Sequence, residues 1–375
     1  MNGKFYVLNQ LDDLLQRVGA KLQISKTQRK LAEERYLTVG TWLSKGEELG
    51  GAEIEIYPQG SLSIGTTVKP LSKQEYDLDL VCQIYETWQG KDPIKLLDSI
   101  EKRLKENKTY KNMVERKKRC IRLNYANEFH VDILPAHPAS QTSNTNIKVP
   151  DRKVKDWKDS NPKGYSAWFN KQSYQYELLL EKRADIKPLP HDENIERKPP
   201  LKRAVQLIKR YRDVYFEDEL DSAPISIVLT TLAGQLYKGQ ASVFEAITAI
   251  LAGILSVLPT DGERLTVLNP TNENEDLSER WEDHPELYKS FVSFIRDFKQ
   301  KWNRLNELRG IHEIAEELKV MFGENVINET LEEQAEYMEK ARETNTLGVA
   351  GAGLLVATTK EVNVVAMRKN TFYGE

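Results

Sequence analysis

The stretch Glu75-Tyr76-Asp77-Leu78-Asp79-Leu80-Val81 decides how this chain is read. Apolar and acidic residues alternate in it at period two, the pattern of a half-buried strand. Side chains two apart leave the same face of a strand. Asp77 and Asp79 therefore share a face, while Tyr76, Leu78 and Leu80 point into the core. Two carboxylates so placed repel, which is costly unless a cation sits between them. A second strand-like run, Phe129-His130-Val131-Asp132-Ile133-Leu134, again sets an aspartate between apolar neighbours, although strands disfavour that residue. Asp132 is thus a third candidate ligand, and an all-oxygen donor set suits magnesium. His130 shares the Asp132 face by parity and is read as a structural or supporting residue rather than a ligand.

Working upstream, Glu53 to Tyr57 alternates as a strand and stops at Pro58. Gln59-Gly60-Ser61-Leu62-Ser63-Ile64-Gly65-Thr66-Thr67 follows. A glycine and a serine after a strand let backbone N–H groups approach an anion closely, with a hydroxyl beside them. Alone, such a string describes many surface turns. Tyr76 to Ile84 and Cys120 to Tyr125 read as further strands, and Pro93 to Asn107 as an amphipathic helix carrying Ile94, Leu97, Ile100 and Leu104 on one stripe.

The rest is predominantly helical. Residues 5 to 47 space Leu8, Leu11, Leu15, Val18 and Leu22 at helical intervals, and Thr27 to Ser44 continues as a second helical run. Residues 184 to 200 hold four prolines and little apolar period, which marks a linker. Beyond it, helices are expected over Leu201–Phe216, Pro224–Tyr237, Ser242–Leu258, Leu277–Leu308 and Ile311–Arg342, the last broken near Gly323. The expected division is a helical segment (1–50) packing across both lobes, a mixed strand and helix core (51–200), a helical lobe (201–345) and a glycine-rich tail (346–375). The fold class is α+β.

Bulk numbers exclude several functions. Apolar residues make up 39% and charged residues 30%, ordinary for a globular protein. No apolar run approaches the length of about 18 residues that a membrane span needs, and Asp12 and Asp13 interrupt the N-terminus too early for a secretory signal. Two cysteines, Cys82 and Cys120, cannot build a disulfide framework or a zinc site. Buried free thiols in a reducing cytoplasm are expected. A net charge of −3 argues against a grip on long nucleic acid. The basic run Lys102 to Arg122 is read as a solvated helix face and a strand edge.

Taken together, strand, Gly-Ser, fifteen residues, Asp-x-Asp and a later strand aspartate resemble the polymerase-beta-like nucleotidyltransferase superfamily. Three strings narrow the likeness: Ala204 to Tyr215 with Lys202, Gln206, Lys209 and Asp213 on one polar stripe, Pro224-Ile225-Ser226-Ile227, and Leu268 to Leu277 leading into Ser278-Glu279-Arg280-Trp281. Gly164 to Phe169 and Thr371 to Gly374 add to it. The order is similar to the oligoadenylate synthetase and cyclic GMP-AMP synthase relatives, above all the bacterial CD-NTases of antiphage (CBASS) defence.

The resemblance implies a mixed sheet joined to a helical lobe, with the active site in the cleft between them. It implies two Mg²⁺ (or Mn²⁺) held by Asp77, Asp79 and Asp132, and donor phosphates held by Gln59, Gly60, Ser61, Thr66, Lys209 and Ser226. By its helix pattern alone, Lys209 would be a solvated lysine. The implied reaction joins ATP and other NTPs into a cyclic di- or trinucleotide, with adenine expected among the bases. A linear transferase acting on RNA ends, or a nucleotide-binding module working through its tail, are the alternatives. In some bacterial relatives the tail is read or conjugated by a partner protein, which would here meet Asn370 to Glu375. The cysteine–histidine zinc insertion of the animal DNA sensor is missing from the sequence, which puts activation by long duplex DNA in doubt.

Overall fold

The structure is a computed structural model and describes residues 2–46, 52–71, 76–125, 129–140, 142, 145–175, 198–260, 262–308, 310–349, 355–356 and 365–366. The chain opens with α1 (Asn2–Lys21) and α2 (Lys26–Ser44). Ser25 starts the second helix by a capping box: its hydroxyl accepts from the Gln28 N–H, and the Gln28 side chain accepts from the Ser25 N–H. Leu11, Leu14, Leu15 and Val18 of α1 join a core made by the C-terminal helices, whereas Ala32, Val39 and Leu43 of α2 join the core under the sheet.

That sheet has seven strands among the described residues: β1 (Ile54–Pro58), β2 (Tyr76–Ile84), β3 (Val114–Arg116), β4 (Ile121–Tyr125), β5 (Phe129–Pro138), β6 (Ile147–Asp151) and β7 (Asp156–Ser160). Its order is β1-β2-β5-β4-β3, and β6 leaves the far end of β5 to pair with β7. β2 and β5 run parallel; the other pairs are antiparallel. Burial alternates strictly along β4 and over Phe129–Leu134 of β5. Leu78, Leu80, Ile121, Leu123, Val131 and Ile133 fill one face, packed on Leu97, Ile100 and Leu104 of α4 (Pro93–Glu106). The opposite face is polar at Asp77, Asp79, His130 and Asp132, and farther along β2 and β5 it carries a small apolar cluster of Tyr57, Val81, Ala136, Ile147 and Val149.

The helical lobe comprises α5 (Pro162–Ser173), α6 (Pro200–Tyr215), α7 (Ser226–Leu236), α8 (Val243–Val257), α9 (Arg280–Asp283), α10 (Pro285–Leu305), α11 (Ile311–Phe322) and α12 (Glu324–Glu343). Its core begins earlier in the chain than position 201, because α5 inserts Tyr165 and Phe169 into it. The helix expected over Leu277–Leu308 is divided. β8 (Leu268–Asn269) and β9 (Asn272–Asp276) form a hairpin, α9 is one turn long, and Pro285 starts α10 afresh. The break at Gly323 is where it was expected, with a φ of 99° that excludes ordinary side chains. In the tail, β10 (Gly348–Val349), β11 (Leu355–Val356) and β12 (Val365–Ala366) make a small sheet; residues 370–375 lie outside the described residues. No described helix is long and apolar enough to cross a membrane.

Cys82 lies in β2, fully buried, and burial pushes its thiol up to about 12. Cys120 departs from the expectation. It precedes β4 and is only partly buried, because the turn from β3 opens onto a cleft rather than onto the core.

Candidate active site

Strand register brings the aspartates together. In the parallel β2–β5 pair, Asp79 stands opposite Asp132 and Asp77 opposite His130. All four lie on the face turned away from the apolar core. Burial first, then the charges of Asp132 and Asp77, push the Asp79 carboxyl up to about 7. Asp77 is more open, at 52% side-chain exposure, with His130 Nδ1 at 3.4 Å from its Oδ1.

Sequence reading did not foresee Arg122. It stands opposite Asp132 in the antiparallel β4–β5 pair. Its Nε and Nη2 each donate at 2.7 Å, to Asp132 Oδ1 and Oδ2, and Nη2 also lies 3.0 Å from Asp77 Oδ1. It was hidden inside the basic run. The signal that could have found it is its parity, since Arg122 alternates with Ile121 and Leu123 just as Asp132 alternates with Val131 and Ile133.

The Gly-Ser segment forms the neighbouring wall. After β1, the Gln59 N–H donates to the Asp79 carbonyl at 2.8 Å, and the chain turns into α3 (Gly60–Ile64). The C-terminal end of this turn is stitched to the helical lobe. Lys198 Nζ donates to the Gly65 carbonyl at 2.9 Å, and Gln206 Nε2 to the Thr67 carbonyl at 2.8 Å. Lys209 Nζ donates to Thr66 Oγ1 at 3.1 Å and to its carbonyl at 3.3 Å.

Lys209 is therefore no solvated lysine but a buried one at the cleft floor. Burial, and then the charge of Arg212, push its ammonium down to about 7. Thr66 is fully buried, is not among the cleft-lining residues, and accepts from Lys209.

Between the sheet and the helical lobe runs a cleft of about 800 Å³. Gln59, Gly60, Ser61, Asp77 and Asp79 line it from the sheet side, and Lys209, Arg212 and Ser226 from the helices. Ser226 is the first residue of α7, whose N-terminus carries no side-chain cap, and Ile225, Ser226 and Ile227 line the cleft there. Arg212 donates to the Ser226 hydroxyl and pairs with Asp213. Asp132 does not line the cleft; its carboxylate, 15% exposed, is turned onto Arg122.

The far wall was missed as well. Lys117, Lys118, Arg119 and Cys120 from the β3–β4 turn face Asn269, Glu275, Glu279 and Arg280 of the helical lobe. Glu275 accepts from Ser160 Oγ at 2.9 Å and from Asn269 Nδ2 at 2.7 Å, and burial raises its pKa. Arg119 links the fully buried Asp151, at 2.7 Å, to Glu279, and Lys118 lies 3.3 Å and 3.5 Å from the same two carboxylates. This part of the basic run is thus partly exposed, yet Lys118 and Arg119 are tied by ion pairs to Asp151 and across the cleft to Glu279.

The carboxylates fit a divalent cation by chemistry: the donors are all oxygen, and burial first, then the neighbouring carboxylates, raise Asp79, a cost that a cation would relieve. Yet among the described residues no three acidic, histidine or cysteine side chains stand together as a finished metal cluster. Asp132 is committed to Arg122 instead.

A mixed sheet with acidic residues on its open face, a Gly-Ser turn beside them and a helical lobe across a cleft define a nucleotidyltransferase of polymerase-beta-like fold. The family model of the Second Messenger Oligonucleotide or Dinucleotide Synthetase domain matches residues 7–173. A c-di-GMP synthase of Roseivirga ehrenbergii is 39% identical over 369 residues, 98% of each chain. The cyclic dinucleotide synthase CdnG of Bradyrhizobium diazoefficiens is 26% identical, covering 97% of this chain and 95% of its own. The structure of that CD-NTase in complex with GTP superposes with a TM-score of 0.70 at 24% identity, covering 87% of this chain and 99% of the other.

The Vibrio cholerae cyclic AMP-GMP synthase DncV, in complex with a linear intermediate, shares the fold at a TM-score of 0.55, with 17% identity over 86% of this chain and 88% of its own. The chain belongs to the CD-NTase family of second-messenger nucleotide synthases and is a nucleotidyltransferase. Members of this family generally use divalent metal ions.

Proposed function

We propose that this enzyme joins two GTP molecules into a cyclic dinucleotide that signals in antiviral defence. The observation that carries nucleotidyl transfer is the strand register setting Asp79 opposite Asp132, two residues from Asp77 and beside Gly60-Ser61. Guanine is favoured over the adenine-containing product expected from sequence, because the 39% identical relative is named a c-di-GMP synthase.

In each round a ribose hydroxyl, losing its proton to solvent, attacks the α-phosphorus of a triphosphate, that of a bound GTP in the first round and that of the linear dinucleotide in the second. The new P–O bond forms as the bond to the β-phosphate oxygen breaks, and pyrophosphate leaves. The first round gives a linear dinucleotide that keeps its triphosphate. The second closes the ring and releases a second pyrophosphate. Ser61, Lys209, Ser226 and the N-terminus of α7 line the cleft and would supply hydroxyls, an ammonium and the positive end of a helix to the triphosphate. Arg212, bonded to Ser226, adds a second positive charge there. Gln59, anchored through its N–H to Asp79, fixes the turn against the carboxylates.

Asp77, Asp79 and Asp132 would hold the metal ions. Bound divalent cations would supply charge neutralisation of the entering and leaving oxygens. Most of what remains is positioning.

Incubation with each labelled NTP singly and in pairs, with Mg²⁺, tests this. GTP alone should give a small product resistant to phosphatase, and Asp77→Asn combined with Asp79→Asn should abolish pyrophosphate release. A product that requires ATP would overturn the guanine assignment, and undiminished release from the double variant would overturn the site.

A further inference from the structure

We infer that Arg122 is the resident counter-ion of the carboxylate site, holding Asp132 in the metal-free protein, so that loading the site exchanges this ion pair for a metal ligand. The inference rests on the metal-dependent reading above and extends it to a positioning residue.

Three observations carry it. The pairing is built into the backbone, since Arg122 and Asp132 are register partners on adjacent antiparallel strands, with Asp132 in turn opposite Asp79. Register thus starts the Arg122 side chain from the same sheet face as Asp132. Its grip is also two-pronged, with both Asp132 oxygens engaged at 2.7 Å. Such fork-to-fork pairs are the stronger and more directional ion pairs, and this one is four-fifths or more shielded from solvent on both sides. Finally, the same Nη2 lies 3.0 Å from Asp77, so the cation spans two of the three carboxylates.

Metal binding therefore competes with an intramolecular cation. The nucleotide-free protein should hold divalent ions weakly, and removing the guanidinium should strengthen that binding. A merely structural arginine predicts the reverse, since its loss would disorder the site.

The test is Mn²⁺ binding to chelator-treated, nucleotide-free protein, followed by electron paramagnetic resonance. Arg122→Gln should bind Mn²⁺ about tenfold more tightly than the parent. Arg122→Lys, which keeps the charge but not the fork, should fall between them, and it serves as the reading if the glutamine variant does not fold. Adding Asp132→Asn to either variant should cancel the gain. Unchanged or weaker Mn²⁺ affinity in both arginine variants would overturn the proposal. The metal reading itself is judged separately by Asp77→Asn with Asp79→Asn. Loss of Mn²⁺ binding there, with no gain in the Arg122 variants, rejects the counter-ion alone. Binding retained there rejects both.

Discussion

Gly60 and Asp79 share a space that admits only one side chain: a Cβ on Gly60 would lie 2.3 Å from Asp79 Oδ2. Gly60 also has a φ of 62°, in the left-handed region. The Gly-Ser turn and the acidic strand are thus interlocked.

Gly60→Ala should therefore cost about 1–2 kcal/mol in backbone strain and push Asp79 off its position. Displacing a reacting group by about 1 Å can cost about a hundredfold in rate, and a loss of that size is expected in pyrophosphate release. Gly90→Ala is the control, since Gly90 has a φ of 73° but nothing within 4 Å of where its Cβ would stand. It should lose stability without losing activity. Equal activity of the two variants would contradict the interlock.

Lys209 gives a pH dependence. In the nucleotide-free protein it holds its proton below about 7 and loses it above. A bound triphosphate favours the charged ammonium, so binding takes up a proton and weakens as pH rises. GTP affinity should fall about tenfold between pH 7 and about 8.5, one pKa unit being about 1.4 kcal/mol. Lys209→Arg, always charged, should bind with little change over that range. A flat profile in the parent enzyme would remove Lys209 from the phosphate site.

Arg119→Ala should open the far wall of the cleft. The buried Asp151 would lose its main partner, and Glu279 its closest link to the sheet. Leaving a buried charged group short of donors costs about 1–3 kcal/mol. A melting temperature lower by a few degrees and a raised KM for GTP are expected, with Arg119→Lys restoring part of both. An unchanged KM would mean that this clasp does not shape the substrate cleft.

Gly19 and Arg203 test the seam between α1 and the helical lobe. Arg203 is fully buried, with its guanidinium bonded to Gln16 at 3.2 Å and Gln206 at 2.8 Å. A Cβ on Gly19 would come within 2.0 Å of Arg203 Cδ. Gly19→Ala should destabilise by about 1–3 kcal/mol, as overpacking does, in thermal or denaturant unfolding. Parental stability would mean that the seam has slack.

Much of the site is legible in the sequence because strand parity is local. The alternation in 76–80 and 129–134 places Asp77, Asp79 and Asp132 on polar faces before any contact is known. Parity cannot say which strands become neighbours. The parallel β2–β5 pair joins segments about fifty residues apart, and only that pairing sets Asp79 against Asp132. Arg122, Arg119 and Lys118 read as solvated charge because a basic run looks alike whether or not acidic partners lie far along the chain. Lys209 misleads by helix pattern for the same reason: its burying partner, Thr66, belongs to another lobe. The hairpin at 268–276 escapes a reading by periodicity because its strands are short and polar.

By itself the sequence determined the alternating strands, the amphipathic helices, the glycine at the head of the phosphate turn and the acidic residues available for chemistry. Periodicity and backbone conformation act over a few residues and leave their mark there. Tertiary structure alone decided which charges face each other, which lysine loses its water, and that an arginine meets the third aspartate. Those outcomes depend on distances between segments remote in the chain, and electrostatic and desolvation energies follow distance in space rather than separation in sequence.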